Sequence, residues 1–194
     1  MRKLVVAEFI TLDGVIQAPG APDEDTDGGF KHGGWTLPCW HDDIGAHFFE
    51  AMGQADALLL GRRTWQEHGA AFDPMPAGDP FGDAMKAVAK YVVSTTIKSA
   101  DLWRNSTIIS RDVVKEVGRL KEQPGRDLLL DGSSVLVKTL IENDLVDEYA
   151  LHVYPLVLGG GKRLFAADTR VNLKLTRSEQ LPTGVVFQKY AVVR

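Results

Sequence analysis

The sequence predicts an α/β protein in three layers, with a mostly parallel central sheet, helices on both faces and a C-terminal antiparallel hairpin. Short apolar runs alternate along the chain with segments whose apolar residues recur at helical spacing. Strands that alternate with helices indicate a parallel sheet covered on both faces. Near the C-terminus the pattern changes to two-residue alternation on either side of Pro182-Thr183-Gly184, which is typical of a hairpin. No repeat or linker interrupts the pattern, so we predict one domain over residues 1–194.

The first half of the chain supplies two strands with a long loop and a helix between them. Leu4–Ile10 is an apolar run that ends at Thr11-Leu12-Asp13-Gly14. The loop Gln17–Pro38 is rich in Gly, Pro and Asp, and loops of this length are commonly functional lids or disordered segments. Asp42–Gln54 repeats apolar residues on one face and predicts an amphipathic helix. Ala57–Leu60 is a second buried strand, which Gly61 ends.

The second half repeats the strand–helix alternation and closes with the hairpin. Gly132 permits a sharp bend after the fifth strand, and Ser133 or Ser134 can cap the helix that follows it. In order, the predicted elements are a short helix from Arg62 to His68, a helix Phe81–Ala89, a strand Lys90–Ser94, a strand Thr107–Ile109, a helix carrying Val113, Val117 and Leu120, a strand Leu128–Leu130, a helix carrying Val135, Leu136, Thr139 and Leu140, a strand Glu148–Leu158, and hairpin strands Val171–Ser178 and Val185–Val193.

Composition narrows the classes of function. The net charge of −4 gives no electrostatic support for a nucleic-acid partner. No apolar run reaches membrane-spanning length, and the lone cysteine, Cys39, fits a reducing compartment, so we expect a cytoplasmic protein without a membrane partner. The terminal hairpin would be a pairing liability if its edge were uncovered, and we therefore expect a homodimer.

Four loops follow predicted parallel strands, at the edge where open α/β sheets bind ligands. They begin at Thr11, Gly61, Ser94 and Asp131. Gly61-Arg62-Arg63-Thr64 places two guanidinium groups at a helix start, which favours a phosphate ligand over a solvated basic turn. Asp131-Gly132-Ser133-Ser134 joins a strand to a helix start, whose free N–H groups also suit a phosphate.

Other polar or aromatic stretches are weaker candidates. Ser94-Thr95-Thr96 is by itself a polar turn, and Gly159-Gly160-Gly161-Lys162 lacks the spacing of a P-loop, so a flexible bend is the favoured interpretation. Trp35 and Trp40 either pack on the core or stack on a planar substrate. No metal site is predicted, because no recognised ligand spacing links the nearby residues His32, Cys39, His41 and His47.

Several motifs, in this order and spacing, resemble one known family. They are Thr11-Leu12-Asp13-Gly14, Leu60-Gly61-Arg62-Arg63-Thr64, Asp131-Gly132-Ser133 with Leu145-Val146-Asp147-Glu148, and Tyr154-Pro155 through Gly159-Gly160-Gly161 to Leu164-Phe165. Together they resemble the dihydrofolate reductase fold, and more closely the reductase (C-terminal) domain of bifunctional riboflavin-biosynthesis enzymes and its stand-alone bacterial relatives. The resemblance covers nearly the whole chain.

The resemblance implies a reductase that uses NADP(H) on a small heterocyclic substrate, either a pyrimidine similar to 5-amino-6-(5-phosphoribosylamino)uracil or a pterin-like ring. Asp131 stands where dihydrofolate reductases usually carry a glycine, and an ungapped alignment puts Gly45 where they carry a helix acid. A non-catalytic nucleotide-binding or interaction module on the same fold is the alternative. The roles that the resemblance implies are Gly61, Arg62, Arg63 and Thr64 at the 2′-phosphate, Ser94 and Thr95 near the adenosine, Gly132, Ser133, Ser134 and Val135 around the pyrophosphate, and Gly14 and Ile16 in the loop over the nicotinamide. The residues themselves make Trp35 and Trp40 candidates for contact with the substrate, and Asp13 or Asp43, or else water, the proton source. The favoured interpretation of Asp13 is that it orders its own turn.

Overall fold

The computed structural model describes all residues, 1–194, and contains one sheet of eight strands with five α-helices. Two single 3₁₀ turns, Asp27–Gly29 and Leu37–Cys39, lie in the long loop after the first strand. The elements are β1 Leu4–Thr11, α1 Asp42–Gln54, β2 Ala55–Gly61, α2 Arg62–Phe72, α3 Pro80–Ala87, β3 Ala89–Val93, β4 Ser106–Ile109, α4 Val113–Glu122, β5 Asp127–Leu130, α5 Ser134–Glu142, β6 Glu148–Tyr154, β7 Leu173–Gln180 and β8 Val186–Val192.

The sheet has the order β4-β3-β2-β5-β1-β6-β8-β7. Every neighbouring pair from β4 to β6 is parallel, and the pairs β6–β8 and β8–β7 are antiparallel. The predicted fold class, a mostly parallel sheet with a C-terminal antiparallel hairpin, is therefore confirmed. Because β1, β2 and β5 are parallel neighbours, the loops that follow them meet at one edge of the sheet.

Alternate residues of the central strands feed two separate hydrophobic cores. Leu4 and Val6 of β1 belong to the core that α4 and α5 cover, while Val5 points to the core beneath α1, α2 and α3. The second core contains two fully buried tryptophans, Trp65 and Trp103. Full burial of a side chain such as Leu, Ile or Val contributes roughly 1.5–3 kcal/mol, so both cores stabilise the packing of the helices on the central strands.

Two element ends differ from the sequence prediction for physical reasons. β6 ends at Tyr154 rather than Leu158, because Pro155 has no N–H to continue the ladder. α2 continues past His68 to Phe72. Gly69 permits this close packing, since a Cβ at that position would lie 3.1 Å from the Cβ of Trp103.

The strand β7 forms one open edge of the sheet and pairs only with β8. The homodimer expected from this edge stays a prediction. None of the helices combines the length and the apolar character that crossing a membrane requires.

Candidate active site

A cleft of about 530 Å³ opens at the carboxyl edge of the sheet, over the ends of β1, β2 and β5. Its walls come from β1, the starts of α2 and α5, and the loop Gln17–Pro38. The side chains and backbone that line it include Glu8, Phe9, Ile16, Gln17, Glu24, Asp25, Asp27, Arg62, Arg63, Thr64, Glu67, His68, Asp131, Gly132, Ser133, Ser134, Val135 and Lys162. The cleft therefore brings together the predicted residues of the second and fourth loops.

Two glycines let these loops touch. The Gly61 N–H donates to the Gly132 carbonyl oxygen at 3.3 Å, and a Cβ on Gly61 would stand 2.8 Å from the Cβ of Ser133. Gly132 has a φ of +73°, and a Cβ there would lie 2.7 Å from Thr64 Oγ1. The Gly132–Ser133 peptide bond is cis. Side chains at either glycine would force the two turns apart.

The two loops each lead into a helix whose N-terminus faces the cleft. α2 begins at Arg62 after Gly61, and α5 begins at Ser134 after Ser133. Neither helix has a side-chain cap, so their first N–H groups remain available to a ligand. Both positive helix ends therefore meet at one point, which suits a phosphate or pyrophosphate group.

A second cleft of about 360 Å³ adjoins the first across Arg62. It is lined by Arg62, Gln66, Thr96 and Lys98, and Arg62 donates to Gln66 Oε1 at 3.0 Å. The two exposed cations suit an anionic group at this position. Lys98 was not among the predicted site residues, although it lies only two residues after the Ser94-Thr95-Thr96 turn.

Ser94 and Thr95, predicted near the adenosine, line neither cleft. The Ser94 hydroxyl accepts hydrogen bonds from the N–H groups of Thr96 and Ile97, both at 3.1 Å. Ser94 is buried and holds the shape of the turn, while Thr95 is exposed beside it. The residues of this loop that line the second cleft are Thr96, Ile97, Lys98 and Ser99.

The cations Arg63 and Lys162 are paired with acids of the long loop. Arg63 binds Asp25 at 2.8 Å and Asp27 at 2.9 Å, and the Lys162 ammonium lies 3.0 Å from Asp27. Hydrogen bonds from Arg63, then from Lys162, hold the pKa of Asp27 below its ordinary value. The loop is anchored farther on, where the buried Trp35 indole donates to the Gln17 carbonyl at 2.8 Å. The acidic segment thus lies across one wall of the cleft.

Acidic groups also occupy the inner end of the cleft. Glu8 of β1 is only 8% exposed, and its Oε1 accepts a 3.0 Å hydrogen bond from the Gly132 N–H. Burial, followed by the charge of Asp131, raises the pKa of Glu8 well above its ordinary value. Asp131 Oδ2 lies 2.7 Å from His68 Nε2. Glu8 was not among the predicted site residues, although an acid within the otherwise apolar run Leu4–Ile10 indicates a special environment.

The imidazole of His68 responds to its acidic surroundings. Burial lowers the pKa of His68, but the charge and hydrogen bond of Asp131, with smaller contributions from Glu24 and Glu67, outweigh it and raise the pKa overall. The Asp131 carboxylate therefore faces a partner that is readily protonated. On a carboxyl group burial has the opposite effect, and it raises the pKa of Glu24, which lines the same cleft.

The two predicted proton donors lie outside the cleft lining. The Asp13 carboxylate accepts hydrogen bonds from the Thr11 hydroxyl at 2.6 Å and from the N–H of Gly159 at 2.8 Å. The Thr11 hydrogen bond is the main cause that lowers the pKa of Asp13 to about 2, so at neutral pH it has no proton to give. Asp43, in the first turn of α1, lies 3.1 Å from His41 Nδ1.

Asp13 and the glycine beside it shape the first loop. Gly14 has a φ of +84°, which glycine adopts most readily, and it places the next residues so that Ile16 reaches the cleft. The N–H of Ile16 donates to the Lys162 carbonyl at 2.9 Å. The loop is thus tied to the Gly159–Lys162 bend, whose role in the structure is to brace the cleft wall.

The two tryptophans of the long loop differ in exposure. Trp35 is buried and packs edge-on against Tyr154 at a centroid distance of 5.2 Å. Trp40 is 49% exposed and stands edge-on to Phe9, which lines the cleft, at 6.4 Å. Neither tryptophan lines the cleft itself. No group of three or more His, Cys, Asp or Glu side chains is arranged to hold a metal ion.

Residues 2–187 of this chain match the family model of the RibD C-terminal domain. The chain belongs to the RibD C-terminal domain family. It is 31% identical to the uncharacterized protein YyaP of Bacillus subtilis (strain 168) over 189 residues, which cover 95% of this chain and 92% of YyaP.

Solved structures share the fold of this RibD C-terminal domain protein. A Shewanella sp. PV-4 protein named for riboflavin biosynthesis superposes with a TM-score of 0.74 and 21% identity, over 99% of both chains. A dihydrofolate reductase from Enterococcus faecalis, solved with NADP(H), superposes with a TM-score of 0.63 and 15% identity, over 99% of this chain and 97% of that one. The fold is therefore dihydrofolate reductase-like.

Proposed function

We propose that this RibD C-terminal domain protein is an NADP(H)-dependent reductase of a small heterocyclic substrate. The observation that carries the proposal is the contact between the Gly61 and Gly132 turns, which aims two uncapped helix N-termini into one cleft. Such a pair of positive helix ends fits a pyrophosphate better than it fits an uncharged ligand. The family, and the dihydrofolate reductase solved with NADP(H), support the same assignment.

The residues present fit an extended dinucleotide. Ser133, Ser134 and Val135, with the start of α2, would hold the pyrophosphate, since Gly61 and Gly132 let the two turns approach so closely that both helix starts line one cleft. Arg62 and Lys98 would hold the 2′-phosphate in the second cleft. When bound, the reduced nicotinamide supplies a hydride. Ile16 and Phe9 of the main cleft would then shield that end of the cofactor from water.

The substrate would occupy the inner end of the main cleft, where acidic side chains predominate. Glu8, Glu24 and Asp131 line this end, whereas the nearby cations Arg63 and Lys162 are already paired with Asp25 and Asp27. This distribution of charge favours an amino-bearing heterocycle over a substrate that carries a phosphate.

One arrangement favours the alternative, a nucleotide-binding or interaction module without catalysis. Asp25 and Asp27 hold Arg63 and Lys162, and a ligand phosphate would have to compete with these carboxylates. The two functions separate by NADPH oxidation, followed by absorbance, against a panel of dihydropterins and aminopyrimidines. A reductase oxidises NADPH with at least one member of the panel, and a module binds NADPH without oxidising it.

The cofactor assignment is tested by Arg62→Ala, with Arg119→Ala on α4 as the matched control. A charge-assisted hydrogen bond is worth roughly 1.5–3 kcal/mol, so we expect NADPH affinity to fall ~10- to 100-fold while NADH affinity stays unchanged. Titration calorimetry measures both. Equal losses for the two cofactors would remove Arg62 from the 2′-phosphate site, and the same comparison applies to Lys98→Ala.

A further inference from the structure

Glu8 is a carboxyl group with an unused oxygen inside the cleft. It is 8% exposed, and its one protein hydrogen bond is the 3.0 Å contact between Oε1 and the Gly132 N–H. The strand that carries it is otherwise apolar or uncharged. A buried carboxyl group costs stability unless it is neutral or fully bonded, so this position needs a reason beyond folding.

The groups that face Glu8 come from three elements. Asp131 follows β5, Glu24 belongs to the long loop, and His68 of α2 lies 2.7 Å from Asp131. The negative charge of Asp131 favours the neutral form of Glu8, and the imidazole of His68 moderates that charge. Burial acts in the same direction as Asp131 and is the larger cause of the raised pKa of Glu8. Glu8 therefore keeps its proton to a higher pH than a free glutamic acid does.

We propose that Glu8 donates the proton that completes reduction of a C=N bond in an amino-substituted heterocycle, with Asp131 and His68 as residues that set its charge. The inference rests on the proposed reductase function. Glu8 is suited to this role because its free carboxyl oxygen lies in the same cleft as the two helix N-termini. General acids of this kind typically contribute ~10²- to 10⁴-fold to a rate.

The reduced nicotinamide, Glu8 and water together supply every atom and electron that the reduction needs. The substrate carbon receives a hydride, which is two electrons and one proton, from the reduced nicotinamide. The C=N π pair then becomes the lone pair that takes the proton from Glu8, which leaves a C–H, an N–H and a Glu8 carboxylate. Glu8 recovers its proton from water that enters the cleft after product leaves.

The test combines a spectroscopic measurement with kinetics. Infrared difference spectra of the ligand-free protein, wild type against Glu8→Gln, should contain the carbonyl band of a protonated carboxyl at pH values above the ordinary titration range of glutamic acid. The midpoint at which this band disappears should fall in Asp131→Asn and rise in His68→Gln, since these changes remove a negative and a positive charge respectively. These opposite shifts test whether Asp131 and His68 set the charge of Glu8, and the rate of NADPH oxidation tests whether its proton is used in the reduction.

Kinetics with dihydrofolate and dihydropterin as C=N probes complete the test. Glu8→Gln should lower the rate of NADPH oxidation at least ~100-fold and change NADPH affinity less than ~2-fold. Glu148→Gln on the neighbouring strand β6 is the matched control and should behave as wild type. A missing carboxyl band, or an undiminished rate in Glu8→Gln, overturns the role of Glu8. Failure of the wild type to bind NADPH instead overturns the proposed function itself and the Glu8 step that depends on it.

Discussion

Acidification tests the packing of His152, which lies on β6 beneath α1. Its Nε2 is 3.2 Å from His47 Nδ1, and its ring stands 4.8 Å from that of Phe187 and 5.5 Å from that of Phe9. Burial, and then the charge of His47, lower the pKa of His152 from 6.5 to about 3. A depressed pKa means that the folded state resists protonation while the unfolded chain does not. The contribution of neutral His152 to the free energy of unfolding is therefore fully present above pH 6.5 and is lost as the pH falls toward 3.

The size of the effect follows from proton linkage. Each pH unit below 6.5 removes at most ~1.4 kcal/mol from the free energy of unfolding, so the loss at pH 5 is at most ~2 kcal/mol. For a chain of this length such a loss lowers Tm by roughly 4–8 °C. Carboxylates with lowered pKa values, such as Asp13 with a value of about 2, lose their contribution to stability below the ordinary carboxylate range, which lies beneath this window. The raised pKa of Glu8 acts in the opposite direction, so a comparison of variants is needed.

The assay is urea unfolding from pH 7 to pH 5 for wild type, His152→Phe and the exposed-residue control His32→Phe. The phenylalanine at 152 removes the titrating group and keeps an aromatic ring beside Phe9 and Phe187. It also leaves His47 Nδ1 without its partner, which costs roughly 1–3 kcal/mol at every pH, so the slope against pH is the quantity compared. We expect the slope to shrink in His152→Phe alone. Parallel slopes in all three proteins would refute the reasoning.

Two further predictions concern the cleft. Gly132→Ala should lower the free energy of unfolding by ~1–3 kcal/mol, because the positive φ disfavours a side chain and the added Cβ would crowd Thr64. Urea unfolding measures this, with Gly160→Ala as the control, since a Cβ at Gly160 would meet nothing within 4 Å. Equal effects of the two substitutions would contradict the contact between Gly132 and Thr64. The double variant Asp25→Asn, Asp27→Asn should bind NADPH ~2- to 10-fold more tightly, because it frees Arg63 and Lys162 from their ion pairs. Fluorescence titration measures the affinity, and the control Asp23→Asn should leave it unchanged. Weaker binding in the double variant would show that the two acids support the ligand rather than compete with it.

The sequence predicted the sheet and its loops because local signals carried them. The apolar runs at Leu4–Ile10 and Leu128–Leu130 became the paired strands β1 and β5, and the glycines that follow β2 and β5 are the ones that meet. These features depend on periodicity and on backbone freedom, both of which can be read locally.

The parts that the sequence could not supply depend on contacts between distant residues. Asp25 and Arg63 are far apart in the chain, and no local pattern indicates that they pair. His68 and Asp131 are likewise far apart in the chain, and their contact places an imidazole beside the acid at the proposed pyrophosphate turn. For Asp13 the sequence left two roles open, ordering its own turn or donating a proton. The hydrogen bonds that it accepts from the distant Leu158 and Gly159 identify it as a carboxylate that braces a loop.

The central claim is that the cleft holds the phosphorylated dinucleotide, and calorimetric titration of the wild-type protein with NADPH and NADH tests it most directly. We expect one NADPH to bind per chain, at least ~10-fold more tightly than NADH, because Arg62 and Lys98 would contact the 2′-phosphate that only NADPH carries. No measurable heat with either cofactor, or equal affinities for both, would contradict it.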